Sequence, residues 1–401
     1  MAWLDPLLWQ ATVFSATALA LILGGTWWLY ASPLPPPRPV PHPPAPRLAY
    51  WCAAGLGIAS LLMVVAGLWD GSRHIQTGAI PAGADFLWPP HLLLYGSFLL
   101  TLAIAEVALG CIALPGWRAG RRDPRRWVRS QPALGAVALA SLYALLAVPG
   151  DALWHELIGL DLTAWSPPHV MLGMMMVAVT GSAVGLLRAA RGAMPRRGWS
   201  NAAIIALLAI MLTQLHLIGV SEWEWAGVGV QIDRPLWLYP AVGGVMAGFI
   251  LSLGKSIAAY RWSATLIALS YYLLRAALML GLGLTGHVMP AVPLIFLLGA
   301  CFLDVLPGHW MQGPGWQRWM LASVFTAGYL LLGLPLLTWR SDLAPLDHYN
   351  LVAAVVATWL GTLIVMPAAS LIGRALFGTD HDRDRSIPHL GSEQGLESVP
   401  R

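Results

Sequence analysis

Apolar runs close to 20 residues recur along almost the whole chain, separated by short polar or proline-rich connections. A helix of that length crosses the roughly 30 Å of hydrocarbon in a bilayer. Eleven such runs can be read, near 8–31, 48–69, 91–114, 132–149, 169–189, 200–220, 237–258, 262–284, 289–305, 319–337 and 350–373. Backbone polar groups cannot go unpaired in lipid, so each is predicted to be a helix. The first run lacks a basic start and is too long for a signal peptide, so it is kept as a span. The pattern predicts an all-α polytopic integral membrane protein of about eleven transmembrane helices. Residues 1–31 would hold the first span. Residues 32–47 (SPLPPPRPVPHPPAPR) would form a stiff proline-rich linker, 48–374 the helical membrane domain, and 375–401 a polar, disordered cytoplasmic tail.

Composition agrees with that division. Of 401 residues, 57% are apolar and 10% are Asp, Glu, Lys or Arg. An ordinary soluble domain carries roughly 25% charged residues. A soluble globular enzyme, a disordered chain and a nucleic-acid binder are therefore excluded, and the lipid bilayer is the expected surrounding. The net charge of +4 reflects where arginine sits. The connection WRAGRRDPRRWVR (117–129) carries six Arg and RAARGAMPRR (188–197) carries four. Short arginine-rich loops stay cytoplasmic. With eleven spans this orients a multi-pass protein of the inner (cytoplasmic) membrane with its N-terminus outside and its C-terminus inside. The acidic and histidine-bearing loops, 70–90, 150–168, 221–236 and 341–349, then fall on the outer side. Cys52, Cys111 and Cys301 lie far apart in apolar runs and read as small buried hydrophobes.

Two of those outer loops share a pattern. In the first, Asp70 precedes His74 by four positions, and Trp88-Pro-Pro-His91 follows at the head of the next run. In the second, Asp151 precedes His155 by four positions, and Trp165-Ser-Pro-Pro-His169 follows. The hairpins 48–114 and 132–189 therefore read as an internal repeat. Asp and His at i and i+4 share one helix face, with Cβ atoms roughly 5–6 Å apart. Proline is at home in a helix's first turn, so the Pro-Pro pair fixes the direction in which the last histidine enters. One carboxylate and two imidazoles can grip one transition metal and leave positions open. Imidazole suits copper, zinc or iron and not calcium or magnesium. Against this, a lone Asp or His near a membrane surface is usually solvated or capping, and Asp151 could simply N-cap the helix that follows it.

The second copy resembles the metal-binding stretch of the C subunit of the copper membrane monooxygenases, the particulate methane and ammonia monooxygenases. The similarity rests on Asp151, Trp154, His155, Pro167 and His169, with a weaker echo from Asp70 through His91 to Phe98. It covers about 30 residues around each hairpin. It implies a copper site, dioxygen chemistry and a small lipid-soluble substrate, with electrons from a carrier such as a quinol. The family's further Asn-x3-His site has no clear match here, and its partner subunit's cupredoxin domains have no counterpart in this chain.

Other polar groups could flank the metal. Glu106, mid-span in the third run, is expected to face the bundle interior as a relay or a structural hydrogen bond. Glu156, Asp161, His216 and Met171 are further candidates. Met171, Met174, Met175 and Met176 follow His169 and could offer thioethers, although packing is the commoner role. Glu222, Glu224 and the run 235–239 could belong to a degenerate third copy. Arg275, in mid-span, must pair or line the interior. His287, Asp347 and His348 read as interfacial. The sequence thus points to a copper-dependent, monooxygenase-like enzyme, with a homo-oligomer allowed. It also leaves open a copper assembly or uptake protein without catalysis, and a proton- or cation-coupled transporter.

Overall fold

A computed structural model describes residues 46–77, 87–118, 123–158, 165–190, 197–228, 234–258, 260–290, 296–333 and 346–377, together with residue 230 and a few between 20 and 28. Among them 89% are helical and none lies in a strand. Among the described residues eight helices are long and apolar enough to cross a membrane, so the chain is an all-α, multi-pass membrane protein. They answer eight of the eleven expected runs. The run at 8–31 falls largely outside the described residues. Of 289–305, the described helical part is nine residues long, Leu297–Val305, which is too short to span. The run at 319–337 is described to residue 333, as an α-helix that passes into a π-turn segment. Most of the linker, and the tail beyond Phe377, also lie outside the described residues.

The helices are α1 (Pro46–Thr77), α2 (Pro89–Arg118), α3 (Pro124–Ser130), α4 (Pro132–Ile158), α5 (Pro167–Ala190), α6 (Arg197–Gly219), α7 (Ser221–Trp225), α8 (Leu238–Ile257), α9 (Ser263–Leu284), α10 (Leu297–Val305), α11 (Gly315–Thr326) and α12 (His348–Phe377). The first five each open on proline, whose fixed φ suits the first helical position and whose missing N–H costs nothing there. Interior prolines occur at Pro149 in α4 and Pro367 in α12.

The two expected hairpins, α1–α2 and α4–α5, pack into a four-helix ring in which α1 touches α2, α2 touches α4, α4 touches α5 and α5 returns to α1. Polar pairs stitch the ring at both junctions. Thr101 of α2 and Ser141 of α4 lie 2.7 Å apart, and Thr180 of α5 donates to Ser60 of α1 at 2.9 Å. In an apolar bundle such pairs link helices that the hydrophobic effect cannot hold together. A second group lies beside the ring. Here α6 packs on α5 and α1, and then on α8 and α9, while α8 and α12 form the most extensive pair. Their approach depends on small residues: a Cβ at Gly361 would come within 2.3 Å of Val245. Two helix ends are satisfied from other elements. Asp304 accepts from the backbone N–H groups of Ala264 and Thr265 at the start of α9, and Arg188 donates to the Ile257 carbonyl at the end of α8.

Candidate metal centre

Helix α1 does not stop where its apolar run ends. It continues through the polar stretch 70–77, so Asp70 and His74 sit one turn apart on one face. The extension is held from outside. Ser72 donates to the Val288 carbonyl at 2.8 Å, and Gln76 donates to the Gly286 carbonyl at 3.0 Å. Gln76 Oε1 also faces His287 Nδ1 at 3.0 Å. Across the connection, Pro89 and Pro90 open α2, and the Leu92 N–H closes its first turn on the Trp88 carbonyl at 2.9 Å. His91 is thus the third residue of the helix and points back at α1. Asp70 Oδ1 lies 3.4 Å from His74 Nε2 and 3.2 Å from His91 Nε2. One ligand atom from each residue lies within 4.8 Å of the other two. Both histidines are buried. Asp70 Oδ1 is out of solvent yet makes no aligned hydrogen bond.

That arrangement fits a cation. Three atoms that can carry lone pairs converge on one point, and the anionic oxygen there faces two imidazole nitrogens at 3.2 and 3.4 Å. A buried anionic oxygen is costly unless something positive completes it. Two imidazoles with one carboxylate suit a late first-row transition metal.

The second hairpin repeats the central contact. Helix α4 runs through Pro149 to Ile158, so Asp151 lies inside the helix and is not its N-cap. Its Oδ1 lies 3.2 Å from Nε2 of His169, the third residue of α5. The repeat extends into the bundle, since Ser60 and Ser141 are separated by the same 81 positions as Asp70 and Asp151. His155 and Glu156 fall on the last turn and a half of α4, but their side chains lie outside the described set, as does Asp161 altogether.

The two half-sites meet. A cavity of about 140 Å³ is lined by Asp70 and His74 from α1, His169 and Met176 from α5, Gln214 from α6 and Trp225 from α7. Most of its remaining wall is apolar, including Leu172, Leu217 and Ile218. Gly173 belongs to that wall, and a Cβ on it would come within 2.3 Å of the outer carbons of Ile218, so a larger residue there must displace that side chain.

Several expected companions lie elsewhere. Glu106 is exposed on the outward face of α2, beside Val107, and does not face the bundle interior. The interior of this stretch is taken instead by Ala105 and Ala108, which are small enough for close helix packing. His216 is fully buried but turns away from the cavity; its Nδ1 meets the Tyr271 hydroxyl at 2.8 Å and its Nε2 lies 3.3 Å from the Gly243 carbonyl. Met171 packs on the core beside the ring, and the methionine that reaches the cavity is Met176. The segment read as a degenerate third copy serves the second one. Glu222 binds Arg234 at 2.5 Å and accepts from the Tyr239 hydroxyl, and Arg234 lies over the Trp165 ring. Arg275 pairs with Glu224 at 2.6 Å. Asp347 caps α12 by accepting from the Asn350 N–H.

Sequence reasoning missed Gln214, Trp225 and the glycine contacts, because none carries a spacing signal of its own, and it named Met176 only as one of four methionines after His169. The serine pair was visible as an 81-residue offset shared with the aspartates. No protein-family model matches the chain, and neither a curated protein nor a solved structure does.

Proposed function

We propose that the chain is a membrane-embedded metalloenzyme of the cytoplasmic membrane, copper-dependent and monooxygenase-like, with Asp70, His74 and His91 as one ligand set at the outer face. Asp151, His155 and His169 form the second set. The observation that carries the reading is the convergence of Asp70, His74 and His91 ligand atoms within 4.8 Å, two of these residues, Asp70 and His74, lining a cavity that the second hairpin also lines. Copper held there would supply dioxygen activation, with two electrons from a donor such as a quinol, one oxygen atom passing to a small lipid-soluble substrate and the other leaving as water.

The chain's own residues do the rest. Asp70 contributes the charge that offsets the metal's, and the two imidazoles fix its place. Leu172, Leu217 and Ile218 keep water scarce around the open positions. A second reading, a copper assembly or uptake protein, draws on Met176: a thioether on the same cavity suits Cu(I) held for transfer.

The test is a Cu(II) titration of the full chain in detergent micelles, read by bound metal after desalting and by electron paramagnetic resonance. Wild type should retain copper with an imidazole signature, and His74→Ala and His91→Ala should retain less, keeping only the share held by the second ligand set. Equal retention in all three would overturn the first ligand set. Copper that stays through a chelator wash supports catalysis, and copper that leaves quickly as Cu(I) supports transfer.

A further inference from the structure

Both half-sites place a tryptophan just ahead of the Pro-Pro-His segment, directly in the first and one serine earlier in the second, and in both an arginine lies over that ring. In the first, the Arg73 guanidinium sits 5.1 Å from the Trp88 ring centroid. In the second, the Arg234 guanidinium sits 4.7 Å from the Trp165 centroid. The two arginines come from unrelated places. Arg73 belongs to the first hairpin and immediately precedes His74. The equivalent position before His155 is Trp154, so the second hairpin has no arginine of its own there. Arg234 comes from the connection ahead of α8 and is pinned in turn by Glu222. One contact is thus built twice by different residues, where the repeat itself did not supply it.

We propose that Arg73 and Arg234 are positioning residues that aim His91 and His169 at their metals. This rests on the metal reading above and assigns it two residues that the ligand pattern does not contain. The geometry in the first copy is direct. Trp88 neighbours both Arg73 and His74, with its ring centroid 6.4 Å from that of His74. The Pro89–Pro90 pair allows little freedom between Trp88 and His91. Fixing the Trp88 ring therefore fixes the entry of α2 and the imidazole three residues later. A guanidinium over an indole face is held by the ring's negative quadrupole, more strongly where water is scarce. Arg73 Nε is out of solvent and has no hydrogen-bond partner, so the ring face is the contact found for that edge of the side chain. In the second copy Glu222 orients Arg234 over Trp165, and the Tyr239 hydroxyl binds the same carboxylate. Groups that orient ligands typically contribute 10- to 100-fold in metal affinity.

The experiment uses the full chain in micelles, titrated with Cu(II). Arg73→Met keeps the side chain's length and packing and removes its charge. It should weaken copper binding about 10- to 100-fold and change the nitrogen hyperfine pattern, while the unfolding midpoint stays near wild type. Arg73→Lys, which returns a cation to the ring face, should recover part of the affinity. Trp88→Phe, which keeps an aromatic ring with a weaker quadrupole, should fall between wild type and Arg73→Met; it provides the reading if Arg73→Met does not fold. Arg73→Met and Trp88→Phe proteins that bind copper with wild-type affinity and spectrum, while His91→Ala retains less, would overturn the positioning role alone. Wild type that binds no more copper than His91→Ala would remove the first ligand set and the role of Arg73 with it.

Discussion

The Glu224–Arg275 pair fixes the short helix α7 to the bundle, and α7 supplies Trp225 to the wall of the cavity. Both side chains are almost fully buried, Glu224 at 2% exposure and Arg275 at 1%. Removing one partner strands the other's charge out of water. Arg275→Met should therefore destabilise the protein by about 3–5 kcal/mol, and Glu224→Leu by a similar amount. The pair itself is imperfect: Glu224 Oε1 and Arg275 Nε and Nη1 have no hydrogen-bond partner. A buried ion pair left in that condition recovers little beyond its own desolvation. The double variant Glu224→Leu/Arg275→Met should thus lie within about 1 kcal/mol of wild type or above it. The coupling between the two positions, the summed single costs less that of the double, is then about 5 kcal/mol or more, several thousandfold in the folding equilibrium. The assay is reversible unfolding in mixed micelles, driven by increasing detergent denaturant and followed by helical circular dichroism. Tryptophan emission offers a second readout, since a loosened α7 exposes Trp225. A single variant that loses less than about 1 kcal/mol, or singles whose costs simply add in the double, would refute both the desolvated pair and the anchoring of α7 through it.

The lipid-facing position of Glu106 predicts that Glu106→Leu leaves copper binding unchanged and stabilises the protein by about 2–3 kcal/mol, the cost of a charged side chain at membrane depth; reduced copper binding in this variant would restore it as a companion of the site. Gly173→Ala should cost about 1–3 kcal/mol, because the new methyl collides with Ile218, and Ile218→Ala in the same chain should return part of that loss in the same unfolding assay. Gly67 lines the cavity with room beside it, its nearest neighbour Leu217 lying 3.4 Å from an added Cβ. Gly67→Leu should therefore keep copper bound but block added azide, read as loss of the azide charge-transfer band that wild type gains.

Much of this was legible in the chain, for identifiable reasons. Runs of 20 apolar residues announce membrane helices because lipid leaves the backbone no other arrangement. Asp70, His74 and His91 could be brought together on paper because an i, i+4 pair and a proline-locked helix start are both short-range facts. Glu106 failed the same reasoning. Its mid-span depth was readable, but which way α2 faces depends on where α1 and α4 pack, and that is set by the whole ring. His216 failed similarly: it lies near the right end of α6 but on the face turned to Tyr271 and Gly243. The arginine clamps were invisible because Arg234 and Trp165 are 69 positions apart and share no pattern.

The ring also explains why residues of both hairpins line one cavity. In the order α1, α2, α4, α5, the carboxylate-bearing helices lie diagonally opposite, and so do the helices that begin with Pro-Pro-His. Each histidine helix therefore neighbours both aspartate helices, and His169 of the second hairpin faces the helix that carries Asp70 and His74 of the first. A strictly two-fold ring would have two equivalent junctions, α5 with α1 and α2 with α4. The rest of the chain breaks that equivalence. Helix α6 lies along α1 and α5, and α7 follows it over the same end, so Gln214 and Trp225 close this junction. Among the described residues no long helix packs comparably on α2 and α4, whose outward side chains Leu99, Val107 and Leu142 are exposed toward lipid. Duplication supplies the ligands in pairs, and the unduplicated helices decide which junction becomes a chamber. Changes in α6 and α7 should accordingly alter what enters the cavity, while changes at the heads of α2 and α5 alter what is held there.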